Sequence, residues 1–153
     1  MSRRFSKRWI VLPLKNKQPI EERLDIIEYF LKNQEQQDII RQHIQRIGDL
    51  ERLISKVAVG RVSPREIVQM KRALDSVEAI KEACDNAVSA GLKKIGEQLN
   101  FCNLVRERIE KEINPDPPAL ANKGNVMNNG VLEELDELRE LAYSGKDYLV
   151  QIQ

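Results

Sequence analysis

The sequence has few of the residues that catalysis and metal binding use: it contains one histidine, two cysteines and only 5% aromatic residues. His43 alone supplies neither a triad with a second histidine nor a His/Cys metal cluster. Cys84 and Cys102 lack the Cys-x-x-Cys spacing of zinc sites, so we expect no metal and two reduced thiols in a reducing compartment. Neither an apolar run long enough for a bilayer nor a secretion signal is present, which predicts a cytoplasmic protein with no membrane partner.

No motif for nucleotide chemistry is complete. Gly91 and Gly96 have the spacing of the two P-loop glycines, but Glu97 and Gln98 follow where lysine and serine or threonine are required. Without that lysine, no group reaches the β- and γ-phosphates. Acidic pairs at helical spacing are typical of a solvated helix face. We therefore expect no catalysis and no cofactor in this segment.

The composition favours packed helices. Apolar residues make up 41% and charged residues 32% of the 153 residues, and the net charge of +1 gives no overall attraction to nucleic acid or membrane. Apolar residues at steps of three and four predict an all-α, multi-helix bundle. The predicted buried stripes are Ile20, Leu24, Ile27 and Leu31; Ile39, Ile40, Ile44 and Ile47; Ile67, Met70, Leu74, Val77, Ile80 and Cys84; Val88, Leu92, Ile95 and Leu99; and Val105, Ile109 and Ile113.

Residues 47–66 contain the clearest signals for helix ends. Gly60 is suited to a left-handed helix end. Ser63, Pro64 and Glu66 then form the N-cap, first position and capping-box acid of the next helix, an arrangement worth about 1 kcal/mol. The short helix between these signals is predicted to bury one face, formed by Leu50, Leu53, Ile54 and Val57.

The remaining segments are predicted to form two further helices and two breaks between helices. A first helix is predicted over residues 3–12, and a polar break over residues 33–37. Three prolines exclude helix near residue 117, so we expect a small hairpin or ordered loop near 119–131, with a type I′ turn at Asn129-Gly130. A long C-terminal helix is predicted from Leu132, with Leu135, Leu138, Ala142, Leu149 and Ile152 as its stripe.

Both ends of the sequence suggest a piece of a longer protein, since helical patterns begin at once and still continue at Gln153. The N-terminal segment is basic. A solvated helix end is the first interpretation, and non-specific DNA contact through Arg3, Arg4, Lys7 and Arg8 is the second. On either interpretation, a piece of a longer protein exposes apolar surface that the missing part would cover. We therefore expect the isolated chain to self-associate. One alternative is a self-contained helical scaffold that binds a protein partner, and another is a nucleic-acid-binding module.

A set of short motifs in fixed order resembles the core of the MutS mismatch-recognition ATPases across the whole chain. These are Arg-Trp-Ile-Val-Leu-Pro-Leu at 8–14, Ile-Glu-Glu-Arg-Leu-Asp at 20–25, Gly-Asp-Leu-Glu-Arg-Leu at 48–53, Ser-Pro-Arg-Glu at 63–66, Pro-Pro at 117–118, Asn-Gly-Val at 129–131, Glu-Leu-Asp-Glu-Leu-Arg at 134–139 and Tyr-Ser-Gly-Lys at 143–146. The family often has Gly-Gly before the hairpin, where this chain has Gly124-Asn125. The family's mismatch-reading Phe-x-Glu motif and its Walker ATPase are not in this sequence.

The resemblance implies a helical lever, or core, domain over residues 1–131. Residues 132–153 would begin the long helix that rises toward an absent clamp domain. The lever would couple an ATPase to the clamp without catalysis of its own, and ATP and Mg²⁺ would bind elsewhere in the parent protein. Implied partners are mismatched double-stranded DNA, the other domains and a second copy of the parent. The coupling residues implied at helix junctions are Arg23, Asp25, Asp49, Glu51, Arg52, Pro64, Arg65, Asp136 and Arg139.

Overall fold

A computed structural model describes residues 17–152, with side chains from residue 18 to 144. This part of the chain is all-α, as predicted, and no strand longer than a single bridge occurs in it. None of its helices is long and apolar enough to cross a membrane. Its helices are α1 (Lys17–Lys32), α2 (Gln34–Ile47), α3 (Leu50–Ala58), α4 (Pro64–Asn86), α5 (Ala90–Gln98), α6 (Asn103–Glu112) and α7 (Glu133–Ile152). The helix predicted over residues 3–12 lies outside the described residues.

The longest helix, α4, forms the centre of the bundle. α2, α3, α5 and α6 pack on α4, and α1 packs against α2 and α5. Ile80, Cys84, Ala87 and Leu92 form the main buried cluster. Tyr29 and other residues of α1 and α2 cover this cluster, which therefore joins four helices.

The predicted ends of α3 and α4 are confirmed. Gly60 has a φ of 67°, and two hydrogen bonds close a Schellman motif, from Gly60 N to Val57 O at 3.0 Å and from Arg61 N to Lys56 O at 2.9 Å. Ser63 Oγ accepts from Glu66 N at 3.3 Å, while Ser63 N donates to Glu66 Oε2 at 3.0 Å. The capping box and the proline at the first position therefore fix where α4 begins.

The predicted buried stripe of α1 is wrong. Ile20, Leu24, Ile27 and Leu31 are all exposed, Leu31 to 72%. The helix instead packs through Ile26, Tyr29 and Phe30. Apolar residues lie around most of α1, so spacing alone did not identify the buried face.

Other stripes were only partly correct. Leu53 is 1% exposed, but Ile54 and Val57 lie at the surface. Val88 is 90% exposed because α4 ends at Asn86, and Ala87 leaves the helix in an extended conformation. Six more residues were predicted to be buried but are exposed: Ile39, Ile44, Ile95, Val105, Leu138 and Ala142. The side chains of Leu149 and Ile152 lie outside the described residues. The polar break is narrower than predicted, since Asn33 alone separates α1 from α2.

An ordered loop connects α6 to α7, as predicted, and it contains a turn at Asn129-Gly130, where the sequence predicted one. Ile113 and Met127 form one antiparallel bridge, and a short 3-10 turn spans Ala121–Lys123. The predicted type I′ conformation of the Asn129-Gly130 turn is wrong, because that conformation needs positive φ at both residues and only Gly130 has it. Gly124 and Asn125, at the end of the 3-10 turn, also have positive φ.

Candidate functional site: polar junctions between helices

Polar side chains meet where helices join, and several predicted coupling residues are among them. The first junction connects α1 to α5. Asp25 Oδ2 accepts hydrogen bonds from Ser89 Oγ at 2.5 Å and from Gly91 N at 3.3 Å. Ser89 is also the N-cap of α5, since its Oγ accepts from Leu92 N. The Ser89 and Gly91 hydrogen bonds lower the pKa of Asp25, which keeps a negative charge at the N-terminal end of α5.

The second junction connects α3 to α4 through Glu66. Its Oε1 accepts from Lys56 Nζ at 2.6 Å and from Arg52 Nη1 at 3.2 Å, and its Oε2 accepts from Ser63 N. Arg52 also contacts Asp49 at 3.1 Å. The Lys56 and Ser63 contacts lower the pKa of Glu66 to about 2, and its side chain is only 18% exposed. One carboxylate therefore serves both the helix cap and the ion pairs to the preceding helix.

This geometry predicts an acid-sensitive junction. Because folding lowers the pKa of Glu66 from 4.5 to about 2, its carboxylate stabilises the fold above pH 4.5, and that contribution is lost as the pH falls toward 2. In Glu66→Gln, the free energy of unfolding should be lower at neutral pH and fall less on acidification. Urea unfolding at several pH values measures this. Glu51→Gln, on the exposed face of α3, is the control, and equal pH slopes for wild type and Glu66→Gln would contradict the prediction.

The third junction attaches the loop that precedes α7 to α4 and α6. Arg65 Nε donates to Pro117 O at 3.0 Å, which connects the start of α4 to the proline-rich segment. Asn128 Nδ2 lies within 3.1 Å of Glu110 O, Lys111 O and Ile113 O. The Asn128 amide therefore satisfies carbonyls at the C-terminal end of α6 that have no partner within the helix.

The same loop holds the base of α7. Arg139 Nη1 donates to Asn129 Oδ1 at 2.6 Å and contacts Asp136 Oδ1 at 3.3 Å, and Arg139 Nη2 donates to Met127 O at 2.9 Å. Gly130 N donates to Asp136 Oδ2 at 2.6 Å. Arg139 and Asp136 thus connect the first two turns of α7 to the loop that Asn128 fixes to α6.

A further junction, between α6 and α4, has no signal in the sequence. Arg106 forms ion pairs with Asp75 at 2.8 Å and Glu78 at 2.6 Å, and its guanidinium lies 5.1 Å from the centre of the Phe101 ring. These acids, Glu78 first, raise the pKa of Arg106. The pairing residues are about 30 positions apart, so no local spacing could have indicated them.

The remaining predicted residues lie in different places. The side chain of Glu51 has no hydrogen bond or ion pair to another residue in the described part of the chain. Arg23 lies on α1 beside the groove between α1 and α5. Arg3, Arg4, Lys7 and Arg8 lie outside the described residues. Between residues 17 and 152, no three His, Cys, Asp or Glu side chains are grouped so that they could hold a metal ion.

These features define an all-helical domain whose helices are connected by interhelical polar contacts. The sequence matches the MutS domain III family over residues 1–153. The chain therefore belongs to the MutS domain III family, which confirms the resemblance found in its motifs.

Comparison with individual proteins agrees with this family. The chain is 60% identical over 153 residues to the DNA mismatch repair protein MutS of Bacteroides fragilis, and 46% identical over the same length to that of Porphyromonas gingivalis. These matches cover all of this chain, but only 18% and 17% of the two relatives. The chain thus spans less than a fifth of the length of these relatives.

Proposed function

We propose that this chain is the lever segment of a DNA mismatch repair protein and that it couples an ATPase to a DNA clamp. Family membership and the relatives that carry the name DNA mismatch repair protein MutS support this proposal. In the proposal, residues 1–131 form the lever and residues 132–153 begin the helix toward the clamp. ATP and Mg²⁺ bind elsewhere in a cytoplasmic, homodimeric parent, and this segment performs no catalysis.

The observation that carries the proposal is the junction at the base of α7. Arg139 and Asp136 make hydrogen bonds to three positions of the preceding loop, Met127, Asn129 and Gly130. A helix attached in this way follows the movement of its base, since several hydrogen bonds must break before the helix can pivot. A displacement of the bundle would therefore reach whatever α7 carries.

The bundle itself suits transmission of movement. Its main buried cluster joins α1, α2, α4 and α5, and packed interiors have low compressibility. The junctions at Asp25, Glu66 and Arg65 fix neighbouring helices at their ends. We propose that nucleotide-driven rearrangement shifts the bundle between two positions, which opens or closes the clamp around mismatched DNA.

The test uses Arg139→Ala in the full-length protein. Losing the Arg139 hydrogen bonds should weaken coupling by about 0.5–2 kcal/mol, a change of roughly 2- to 30-fold in the coupled equilibrium. ATP-induced release from mismatched DNA should slow, while DNA binding without nucleotide remains. Release kinetics with fluorescent DNA measure both.

Arg108→Ala is the matched control, because Arg108 forms one exposed pair within α6, with Glu112 at 3.0 Å. Its release kinetics should equal those of wild type. Unchanged release in Arg139→Ala, together with unchanged stability, would contradict the proposal that this junction couples the two sites.

Contact of Arg3, Arg4, Lys7 and Arg8 with DNA belongs to the same proposal as a non-specific, salt-sensitive contribution. Exposed apolar residues of α1, including Leu24 and Leu31, support the further proposal that the chain self-associates in isolation.

A further inference from the structure

A cavity of about 390 Å³ lies between α2 and α4, away from the junctions at α3 and α7. Its lining carries hydrogen-bond donors and two guanidinium groups. The lining residues are His43, Arg46, Gln69, Arg72, Asp75 and Ser76.

The two arginines of this cavity are not neutralised within the described part of the chain. Neither Arg46 nor Arg72 forms an ion pair or side-chain hydrogen bond with a residue of that part. The single acid in the lining, Asp75, already has partners, since its Oδ1 accepts from Arg106 at 2.8 Å and its Oδ2 pairs with Lys71 at 3.3 Å. The cavity therefore presents two positive charges.

A second observation also indicates a missing partner. His43 Nδ1 is buried and has no hydrogen-bond partner among the residues that the structure describes. A buried polar atom without a partner costs free energy, so such atoms are normally satisfied. An oxyanion in the cavity would accept hydrogen bonds from the arginines and from an N–H at His43 Nδ1.

We propose that this cavity binds the carboxylate of an acidic side chain from another segment of the parent protein. Arginine binds carboxylates through paired hydrogen bonds. The chain covers only 18% of its relatives' length, which leaves many segments that could supply the acid. A concave cavity with two arginines that the described residues leave unpaired suits one inserted side chain, whereas a DNA backbone needs a longer basic track.

This contact adds to the proposed function, because an acidic side chain bound between α2 and α4 would attach another domain to the centre of the lever. This inference rests on the proposed function in that the chain works inside a longer protein. Its test reads a chemical cross-link and not DNA release, so either proposal can fail alone.

The test is zero-length carbodiimide cross-linking of the full-length protein, which joins amines to nearby carboxylates. Arg46→Lys and Arg72→Lys place an amine in the cavity and keep its charge. We expect each variant to form a cross-linked peptide between that position and an Asp or Glu outside residues 1–153, which mass spectrometry identifies. Arg41→Lys, on α2 but not in the lining, should lack this product.

Lys94 and Glu22, 2.9 Å apart, provide an internal control, since their cross-link should form in every folded variant. If that product forms but neither cavity amine links to an acid outside this chain, the proposal is wrong. If instead the cavity amines become protected from acetylation only when DNA is added, the ligand is a phosphate and the proposal is also wrong.

Discussion

Leu53→Ala should lower the free energy of unfolding by about 2–5 kcal/mol, the usual cost of removing a large buried side chain. Leu53 is 1% exposed and is the only residue of α3 that is fully buried in the described structure. α3 has nine residues and packs on α4, so it has little other apolar surface with which to hold its position. Total stabilities of domains are about 5–15 kcal/mol, so this loss would be a large part of the whole.

Urea unfolding of the chain, followed by circular dichroism, measures this effect. Ile54→Ala is the matched control, since Ile54 is the next residue and is 53% exposed. It should change stability by at most about 0.5 kcal/mol. Equal losses in the two variants would mean that the buried face of α3 is misassigned.

Gly91→Ala should destabilise the chain by about 1–3 kcal/mol through overpacking where α1 crosses α5. A Cβ at Gly91 would lie 2.8 Å from Glu22 O and 2.9 Å from Ile26 Cγ1. Glu22 O belongs to the backbone of α1 and cannot move without the helix. The gain in helix propensity, about 1 kcal/mol for alanine over glycine, offsets part of this cost.

Gly96→Ala provides the comparison, because it has the same propensity gain on the same helix. Its Cβ would meet the carboxylate of Asp85, which ends a flexible side chain, and would lie 3.0 Å from Cys84 Cβ. Thermal unfolding should therefore show a larger loss for Gly91→Ala than for Gly96→Ala. The opposite order would contradict the close approach of α1 to α5.

The two glycines also show what sequence reasoning could and could not predict. Spacing predicted the helices and their order, and local chemistry predicted the ends of α3 and α4, because caps involve residues a few positions apart. Glycine within a helix costs about 1 kcal/mol relative to alanine, whereas Gly91 and Gly96 allow α1 and α4 to approach α5 closely. Close approach depends on tertiary packing, which no local pattern encodes.

The same limit applies to helix faces and to the candidate site. α1 has apolar residues on several sides, so the face that packs was decided by its neighbours and not by its own periodicity. Among the coupling residues, Asp25, Arg52 and Arg139 lie at junctions, but their partners were not predictable. Asn128 lies 15 positions or more from the carbonyls that its amide caps at the end of α6, so no local pattern indicates that contact.

A distance measurement between two spin labels tests most directly whether Arg139 holds α7 to the bundle. Val88→Cys places one label on the bundle, and Tyr143→Cys places the other on α7, since both side chains are exposed. Cys102→Ser removes the exposed native thiol among the described residues. We expect one narrow distance distribution, broadened by Arg139→Ala but not by Arg108→Ala. A distribution equally broad with and without Arg139 would contradict the account.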